Sequence, residues 1–371
     1  MKKIAIVVGT RPEGIKLAPI VTTMRRHFSD QLAPLVIVTG QHEAILHDVL
    51  SFFDIHPQVV LTVNRTNPTL SALQSQLMQS LESALIAASP DVVMVQGDTI
   101  SALAGAIAGY YQRIPVAHVE AGLRSGNIYE PFPEEANRRI ITPLAHWHFT
   151  PTPKATAALH SEGVYRNVHE VGNTVIDALM HAQHVGWDRP AHQHPWANHH
   201  DVGRPMILVT VHRRENWGGG LQRIMAAIQQ LVALRDDLDI VWLVHPNPDI
   251  REQVTSTLGQ TNHVWIYPPA SYSELVQLMQ LSTIIVTDSG GIQEEAPSLN
   301  KPVLVAREVT ERMEGVEAGC AILVGTNTST IVDTVIDLLQ STDRYARMIH
   351  QKNPYGDGTA SQKILSIIAQ S

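Results

Sequence analysis

Five polar clusters in the sequence each follow a short apolar run that is typical of a β-strand. They read "GTRPEGIK", "QGDT", "VEAGLRS", "VHRREN" and "TDSGG". Because ligands of open parallel sheets bind outside the carboxyl ends of the strands, the shared location indicates a binding or catalytic site. Five clusters at five strand ends are a more specific signal than any one of them.

Carboxylates are the first candidates for chemistry. Asp98 and Glu120 lie at the ends of two successive predicted strands, about half of a βαβ unit apart in the chain. Neighbouring strands could therefore direct both carboxylates into one crevice. Glu134 and Glu135, in "PFPEEANRR", precede a predicted helix, where acids also simply favour the helix dipole. Carboxylates held together can take different protonation states, which paired acid and base catalysis requires.

The "TDSGG" cluster predicts an anion site. Backbone N–H groups of Ser289, Gly290 and Gly291 open a predicted helix, and such termini bind anions. The plain alternative is a Ser289 N-cap followed by a glycine turn. Glu295, one turn later, could accept hydrogen bonds from ribose hydroxyls, as an acid does in dinucleotide folds.

The "GTRPEGIK" cluster brings two cations, Arg11 and Lys16, to a turn where Gly9 permits a sharp bend and Pro12 suits the start of a helix. Neither a Walker loop nor a G-x-G-x-x-G motif occurs, so ATP or NAD use is not indicated. His212, at another strand end, suits proton transfer or a hydrogen bond to phosphate, although a lone histidine is more often structural.

Composition limits the class of protein. The chain has 371 residues, 44% hydrophobic and 17% charged, which is typical of a soluble protein with two domains. A net charge of −8 without a basic block argues against nucleic-acid binding, and no apolar run could span a bilayer. Cys320, in the strand-like "CAILVG", is the single cysteine, so no internal disulfide can form; a reducing cytosol and a core position are expected. The opening "MKKIAIVVGTRPE" indicates a buried strand rather than a signal peptide.

Predicted strands alternate with helix-length segments in two series, which indicates two doubly wound domains with parallel sheets. The first series is Ile4–Gly9, Pro34–Gly40, Asp91–Gly97 and Pro115–Gly122; the second is Met206–His212, Asp239–His245, His263–Pro269, Thr283–Gly290 and Pro302–Ala306. A linker is predicted from His184 to Pro205. For its histidines, solvation is favoured over a metal site: His192, His194, His199 and His200, with Asp201. A last helix is predicted from Thr359 to Ala369.

Taken together, the five clusters with "PFPEEANRR", the longer "TDSGGIQEEAPSLNKPVLV" and "NPYGDG" resemble the bacterial non-hydrolysing UDP-N-acetylglucosamine 2-epimerases. The resemblance covers nearly the whole chain, in order. It implies a GT-B-like α/β fold: two Rossmann-like, doubly wound parallel-sheet domains with the active site in the interdomain cleft. The expected domains are residues 1–170, joined by the C-terminal helix 357–371, and residues 171–356, which bind UDP.

The resemblance also implies a function. The reaction would be reversible epimerisation at C2 of UDP-N-acetylglucosamine (UDP-GlcNAc) to UDP-N-acetylmannosamine (UDP-ManNAc), by anti elimination of UDP and re-addition through 2-acetamidoglucal. No cofactor and no metal are expected. A cytoplasmic homodimer is implied, which binds these nucleotide sugars and UDP and supplies ManNAc units for surface polysaccharide or cell-wall polymers.

Residue by residue, the resemblance assigns three groups of positions. Expected catalytic residues are Asp98, Glu120, Glu134 and His212; expected substrate-binding residues are Arg11, Lys16, Ala270, Leu275, Ser289, Gly290, Gly291, Glu295 and Arg312; possible allosteric residues are Gln41 and His42. Ala270 and Leu275 fall where the family lies against uracil. The segment "NRTNPTL" departs from the Arg-Gln pair that some relatives use for a second, activating UDP-GlcNAc.

Three alternatives remain open. A GT-B glycosyltransferase shares the architecture but has no reason to keep three carboxylates around the donor sugar. A hydrolysing epimerase would release ManNAc and UDP. A non-catalytic sensor would bind UDP-sugars without turnover, against which the set of acid, base and cation candidates argues.

Overall fold

The computed structural model describes residues 1–40, 43–63, 69–185, 196 and 203–371. The chain divides into two compact units, one formed by residues 1–181 with 355–371 and the other by residues 182–354. In each unit, helices connect the strands of a parallel sheet. The strands are near-continuous apolar runs because both faces of such a sheet are buried.

The strands of the first unit are β1 (Lys2–Val8), β2 (Leu32–Val38), β3 (Val59–Val60), β4 (Val92–Gln96), β5 (Val116–Val119), β6 (Trp147–Thr150) and β7 (Val168–Glu170). Its helices are α1 (Arg11–His27), α2 (Glu43–Phe52), α3 (Leu70–Ala88), α4 (Ile100–Tyr111), α5 (Glu134–Leu144), α6 (Pro153–Ser161) and α7 (Thr174–Val185). Among the described residues, the sheet order is β3-β2-β1-β4-β5-β6-β7, all parallel. The direction of winding reverses between β1 and β4, where ligands of such sheets bind.

The second unit repeats this plan. Its strands are β8 (Met206–Thr210), β9 (Asp239–Leu243), β10 (Val264–Tyr267), β11 (Ile284–Thr287), β12 (Val303–Val305) and β13 (Ala321–Leu323). Its helices are α8 (Gly219–Leu234), α9 (Pro248–Leu258), α10 (Tyr272–Leu281), α11 (Gly290–Glu295), α12 (Met313–Glu317), α13 (Thr328–Gln340) and α14 (Thr342–Ile349), with 3₁₀ turns at Arg214–Asn216 and Ala296–Leu299. In the described chain the parallel order is β10-β9-β8-β11-β12-β13, so the reversal lies between β8 and β11.

Three strands, β3, β6 and β7, were not expected from the sequence. β3 has two residues, β7 three and β6, "WHFT", four, so each is too short to stand out as a strand in the sequence. Pairing with established neighbours holds them in the sheet: β3 lies beside β2, and β6 lies between β5 and β7. Tertiary context decides such short segments. Cys320, before β13, is buried as expected.

Small residues let α4 lie close to the first sheet. The helix reads "ISALAGAIAGYY", and a Cβ added at Gly105 would lie 2.9 Å from Cγ1 of Val95 in β4. Glycine in a helix costs about 1 kcal/mol relative to alanine. Here the close approach compensates, because it buries Val7 and Val93 completely against α4 and Leu81 of α3.

The last helix, α15 (Ala360–Gln370), belongs to the first unit. The carboxylate of Asp177, in α7, accepts backbone N–H bonds from Ala360 at 3.3 Å and from Ser361 at 2.7 Å. These N–H groups have no partner inside the helix, so Asp177 caps its start. At the other end, Lys2 Nζ donates to the carbonyl of Ile368 at 3.1 Å.

The unit boundaries differ from the expected ones. The first unit continues beyond residue 170 to His181, and it resumes at Tyr355 rather than at residue 357. The cause is the packing of α7, because Val175 and Ile176 bury themselves against Tyr355.

No helix in the described ranges is both long and apolar enough to cross a membrane. The linker histidines at 192, 194, 199 and 200, and Asp201, lie outside the described residues. Among the residues that are described, no group of three or more His, Cys, Asp or Glu side chains is arranged to hold a metal ion. Trp196 is buried and meets Tyr267 edge to face, with ring centroids 5.9 Å apart.

Candidate active site

Asp98, Glu120 and Glu134 form an acid cluster at the carboxyl edge of the first sheet. Asp98 follows β4, Glu120 follows β5, and Glu134 begins α5. Burial raises the pKa of Asp98; Arg138 opposes this shift, and the charges of Glu120 and Glu134 reinforce it. Glu120 and Glu134 therefore both lie close enough to Asp98 to influence its protonation, an arrangement that can separate an acid from a base.

Glu120 is held by several donors. Lys16 Nζ forms an ion pair with its Oε2, and the side-chain amides of Gln96 and Asn173 donate to the same oxygen at 3.2 Å each. Glu120 also has a φ of 62°, in the left-handed region that non-glycine residues rarely adopt. Strained backbone of this kind concentrates at functional sites. Arg11 begins α1, one turn before Lys16.

The structure separates the adjacent acids Glu134 and Glu135. Glu135 is fully buried and accepts from Arg138 Nη1 at 3.3 Å and from Arg139 Nε at 2.8 Å. Arg138 also forms an ion pair with Asp98. In contrast, Oε2 of Glu134 is buried but accepts no hydrogen bond from any described residue. Glu135 is thus an anchor for α5, and Glu134 retains capacity to accept a ligand hydroxyl or proton.

Glu13, in the "GTRPE" motif, joins two of the turns that build this edge. Its Oε2 accepts backbone N–H bonds from Gly9 at 3.0 Å and Thr10 at 2.6 Å, and its Oε1 accepts from Thr99 Oγ1 at 2.6 Å. Thr99 directly follows Asp98. Burial raises the pKa of Glu13 to about 7 despite these hydrogen bonds. The motif's acid therefore fixes the turn that carries Asp98.

His118 lies in β5 beneath the acid cluster. Its Nε2 lies 2.8 Å from the carbonyl oxygen of Gly97, which can only accept, so Nε2 carries the proton. Burial lowers the pKa of His118 to about 3; the Gly97 bond and Glu120 oppose this shift, whereas His148 and Arg124 add to it. The neutral ring thereby holds the Gly97 carbonyl, one residue before Asp98.

His118→Gln should make the protein less sensitive to acid, because a glutamine amide can keep the Gly97 bond but cannot be protonated. The unfolded state binds a proton below pH 6.5 and the folded state does not, so wild-type stability is lost as pH falls below that value. At pH 5 the expected loss is about 2 kcal/mol. The measurement is the shift in melting midpoint from pH 7 to pH 5, compared with the same substitution at exposed His56. Equal shifts in melting midpoint for wild type and His118→Gln would contradict the conclusion that His118 is neutral in the folded protein.

In the second unit, Ser289 follows β11 and Gly290 begins α11. We call Ser289–Gly291 the diglycine turn. Ser289 is the N-cap residue of α11, as the plain alternative expects, but its side chain makes no capping hydrogen bond to that helix. A Cβ at Gly290 would lie 2.9 Å from Cζ of Arg312, which places that guanidinium directly over the turn. Backbone N–H groups beside a guanidinium are suited to an anion.

Asp288 organises the neighbouring strand end. Fully buried, it accepts backbone N–H bonds from His212 at 3.0 Å and Arg213 at 2.8 Å, and a side-chain bond from Asn216 at 2.9 Å. Its Oδ1 lies 3.3 Å from Nδ1 of His212. Burial lowers the pKa of His212, an effect that Arg213 and His245 add to and Asp288 opposes. A neutral ring with its proton on Nδ1, the nitrogen nearer Asp288, presents Nε2 as a proton acceptor.

The positions expected to contact uridine lie on two elements of the second unit. Glu295, at the end of α11, accepts a 2.9 Å hydrogen bond from the hydroxyl of Tyr272. Ala270 precedes α10 and is 8% exposed, and Leu275 lies in the first turns of that helix, partly exposed. The hydroxyl bond fixes the orientation of the Glu295 carboxylate.

The sequence did not predict the residues that hold the expected catalytic and substrate-binding residues in place. Glu13, Arg138 and Asp288 lie inside motifs that were singled out, but nothing local distinguishes Arg138 and Asp288 from solvated charges. For Glu13 a signal existed, since an acid three residues after Thr10 fits a capping box. Gln41 and His42, the possible allosteric residues, lie outside the described residues.

Two Rossmann-like units, with an acid cluster in one and an anion-suited turn in the other, place the protein in the GT-B class of α/β folds. A crystal structure of the UDP-GlcNAc 2-epimerase from Neisseria meningitidis, bound to UDP-GlcNAc, superposes with a TM-score of 0.92 at 39% identity and full coverage of both chains. The chain belongs to the UDP-N-acetylglucosamine 2-epimerase family, because the model of that family matches residues 25–369. It is 45% identical to a probable UDP-N-acetylglucosamine 2-epimerase of Ralstonia nicotianae, over 99% of both chains. With the UDP-N-acetylglucosamine 2-epimerase of Yersinia pestis it shares 43% identity, over 99% of this chain and 98% of that one.

Proposed function

We propose that this protein interconverts UDP-GlcNAc and UDP-ManNAc by reversible epimerisation at C2, without net hydrolysis. Family membership supports the overall reaction. The observation that carries the proposal is the acid cluster: Asp98 pairs with Arg138, Glu120 pairs with Lys16, and the charges of Glu120 and Glu134 act on Asp98. Transfer of a proton to and from carbon needs such a set of groups.

The chemistry proceeds by elimination. The hydrogen on C2 is not acidic, because no carbonyl is attached to that carbon. When the C1–O bond breaks, its electron pair leaves with UDP, and positive charge at C1 acidifies C2–H. The C2–H electron pair then forms the C1–C2 double bond of 2-acetamidoglucal, and the proton passes to a protein base. Re-addition of UDP to C1, with a proton delivered to the opposite face of C2, gives the epimer.

The acid cluster is assigned these proton transfers. Glu120 has an ammonium and two amide donors, which stabilise its carboxylate form. Asp98 has a raised pKa, so it takes up a proton more readily than an exposed aspartate. Glu134 keeps a buried oxygen that accepts no described hydrogen bond. These different surroundings support a division of the set into proton donor and proton acceptor, with Lys16 acting as a charge partner.

The diphosphate is assigned to the diglycine turn, with Arg312, Arg11 and His212. The leaving group must separate easily from C1 and yet stay bound, so donors that stabilise its developing charge favour both requirements. The backbone N–H groups of Gly290 and Gly291 at the start of α11 and the Arg312 guanidinium over Gly290 support the assignment.

The nucleoside is assigned to Glu295, Ala270 and Leu275. A carboxylate whose orientation is fixed by Tyr272 can accept hydrogen bonds from ribose hydroxyls. Ala270 and Leu275 would lie against uracil through backbone and shape. The homodimer, the cytosolic location and an activating second UDP-GlcNAc near Gln41 and His42 remain predictions that rest on the resemblance.

Epimerisation in D₂O tests the proposal. If a carboxylate that exchanges with water removes the C2 proton, product UDP-ManNAc must carry deuterium at C2, and most turnovers must end in the epimer rather than in free UDP and 2-acetamidoglucal. The measurement is proton NMR of the anomeric and C2 signals. Epimerised product that retains protium at C2 would contradict solvent-exchanging elimination.

The same spectra separate the alternatives. A hydrolysing epimerase would accumulate ManNAc and UDP in equal amounts. A GT-B glycosyltransferase without an acceptor would leave C2 unlabelled, and a sensor would leave the substrate unchanged. Each of these outcomes would overturn the proposal.

A further inference from the structure

Glu311 lies among three guanidinium groups in the second unit. Its Oε1 accepts from Arg312 Nη1 at 2.6 Å and from Arg213 Nη2 at 3.3 Å, and its Oε2 accepts from Arg307 Nη1 at 2.7 Å. Burial alone would raise the pKa of Glu311, but the three arginines lower it to about 2. The side chain is therefore a carboxylate at any pH at which the protein works.

Arg312 is held from both sides. Its Nη1 donates to Glu311, and its Nε donates to Glu294 Oε1 at 3.0 Å. Between these two acceptors the guanidinium lies over Gly290, where a Cβ would be 2.9 Å from Cζ. Two fixed acceptors on different atoms of a planar group define its orientation as well as its position.

Glu311 also connects Arg312 to the backbone of the turn. Arg213, which donates to Glu311, donates from its Nε to the carbonyl of Asp288 at 2.9 Å. Asp288 immediately precedes the diglycine turn. Arg307, the third partner, pairs in addition with Glu215 at 2.6 Å. The carboxylate thus links the anion-suited turn, the guanidinium above it and the strand end that bears His212.

Electrostatic repulsion and preorganisation give opposite expectations for how Glu311 affects ligand binding. A carboxylate beside an anion site repels the anion, so its removal should strengthen the binding of a diphosphate. Preorganisation predicts the reverse, because without Glu311 three guanidiniums lose a shared acceptor and Arg312 is no longer held over Gly290. The sign of the effect therefore distinguishes the two.

We propose that Glu311 is a positioning residue: it fixes the Arg312 guanidinium over the diglycine turn so that the diphosphate of UDP meets a preorganised donor. The inference rests on the proposed assignment of that turn and Arg312 to UDP. Glu311 itself would not touch the ligand, because its carboxylate oxygens accept from the three arginines.

The test is calorimetric titration of UDP into the full-length protein. We expect Glu311→Gln to weaken UDP binding about tenfold, the loss typical of one charge-assisted hydrogen bond. Glu311→Asp keeps the charge but shortens the side chain, and it should weaken binding by a similar factor. Glu308→Gln removes a nearby charge from a side chain that accepts from Thr326 N, and it should leave UDP affinity unchanged.

A double-mutant cycle shows whether Glu311 acts through Arg312. If it does, Glu311→Gln in an Arg312→Ala background should cause little further loss, since coupled residues are not additive. Melting midpoints establish that each variant is folded, and Glu311→Asp serves if Glu311→Gln does not fold.

Three outcomes would overturn the inference. Unchanged or tighter UDP binding in both Glu311 variants would show that the carboxylate positions nothing, and fully additive losses would show that it acts by another route. Undiminished affinity in Arg312→Ala would remove the UDP assignment of Arg312 together with the inference. Deuterium incorporation tests epimerisation separately, so failure here and failure of the proposed function are distinguishable.

Discussion

Glu120→Gln should reduce kcat by about 10²–10⁴-fold, the loss typical of a proton-transfer group, while UDP affinity stays within a few-fold of wild type. The amide keeps the shape of the side chain, so Lys16, Gln96 and Asn173 still surround it, but it can neither take nor deliver a proton. Asp98→Asn and Glu134→Gln should behave alike. Initial rates with UDP-GlcNAc and calorimetric titration of UDP measure the two quantities.

The matched control is Glu82→Gln. Glu82, in α3, accepts a 2.8 Å hydrogen bond from Gln112 and belongs to no part of the acid cluster, so its amide variant should keep wild-type activity. A purely structural acid cluster would instead give variants with lower melting temperatures and near-normal activity in the folded fraction. That pattern would refute the assignment.

Asp288→Asn should lower kcat/KM about a hundredfold. Asp288 accepts from two backbone N–H groups and from Asn216, and its Oδ1 lies 3.3 Å from Nδ1 of His212; an amide must turn N–H donors toward some of these groups. A hydrogen bond to a charged group is worth about 1.5–3 kcal/mol, and about 2.7 kcal/mol of lost transition-state stabilisation is a hundredfold. The effect should appear in steady-state kinetics because His212 loses the partner that fixes its tautomer.

Asp239→Asn provides the comparison. Asp239 is also buried, but it lies at the start of β9 and so at the amino-terminal ends of the strands of the same sheet, where it pairs with Arg204. Both variants should melt at lower temperature, and only Asp288→Asn should lose activity beyond its unfolded fraction. Equal losses of activity in the two would show that Asp288 contributes stability alone.

The sequence predicted the parts of the molecule that depend on local pattern. Apolar runs such as those around Val93 and Val286 marked strands, and the polar residues after them marked one edge of each sheet, where Asp98, Glu120 and Ser289 indeed lie. The same logic failed for β6, whose few residues form a strand only because β5 and β7 lie beside it.

Partners that are distant in the chain could not be predicted from pattern. Asn173 reaches Glu120, and Arg138 reaches Asp98, across 53 and 40 residues of chain. The left-handed φ of Glu120 likewise depends on the surrounding fold rather than on its own preference. Such contacts exist only once the sheet order has brought the strand ends together.

The return of α15 to the first unit has a consequence for how the protein is made. Residues 1–181 leave the ribosome well before residues 355–371, so during synthesis the carboxylate of Asp177 lacks the N–H groups of Ala360 and Ser361 until the second unit has been made. The second unit is continuous in the chain and can close its sheet earlier. Completion of the unit that bears the acid cluster therefore waits until the whole second unit has been synthesised, and a chain that stops after residue 354 lacks the helix that Asp177 caps.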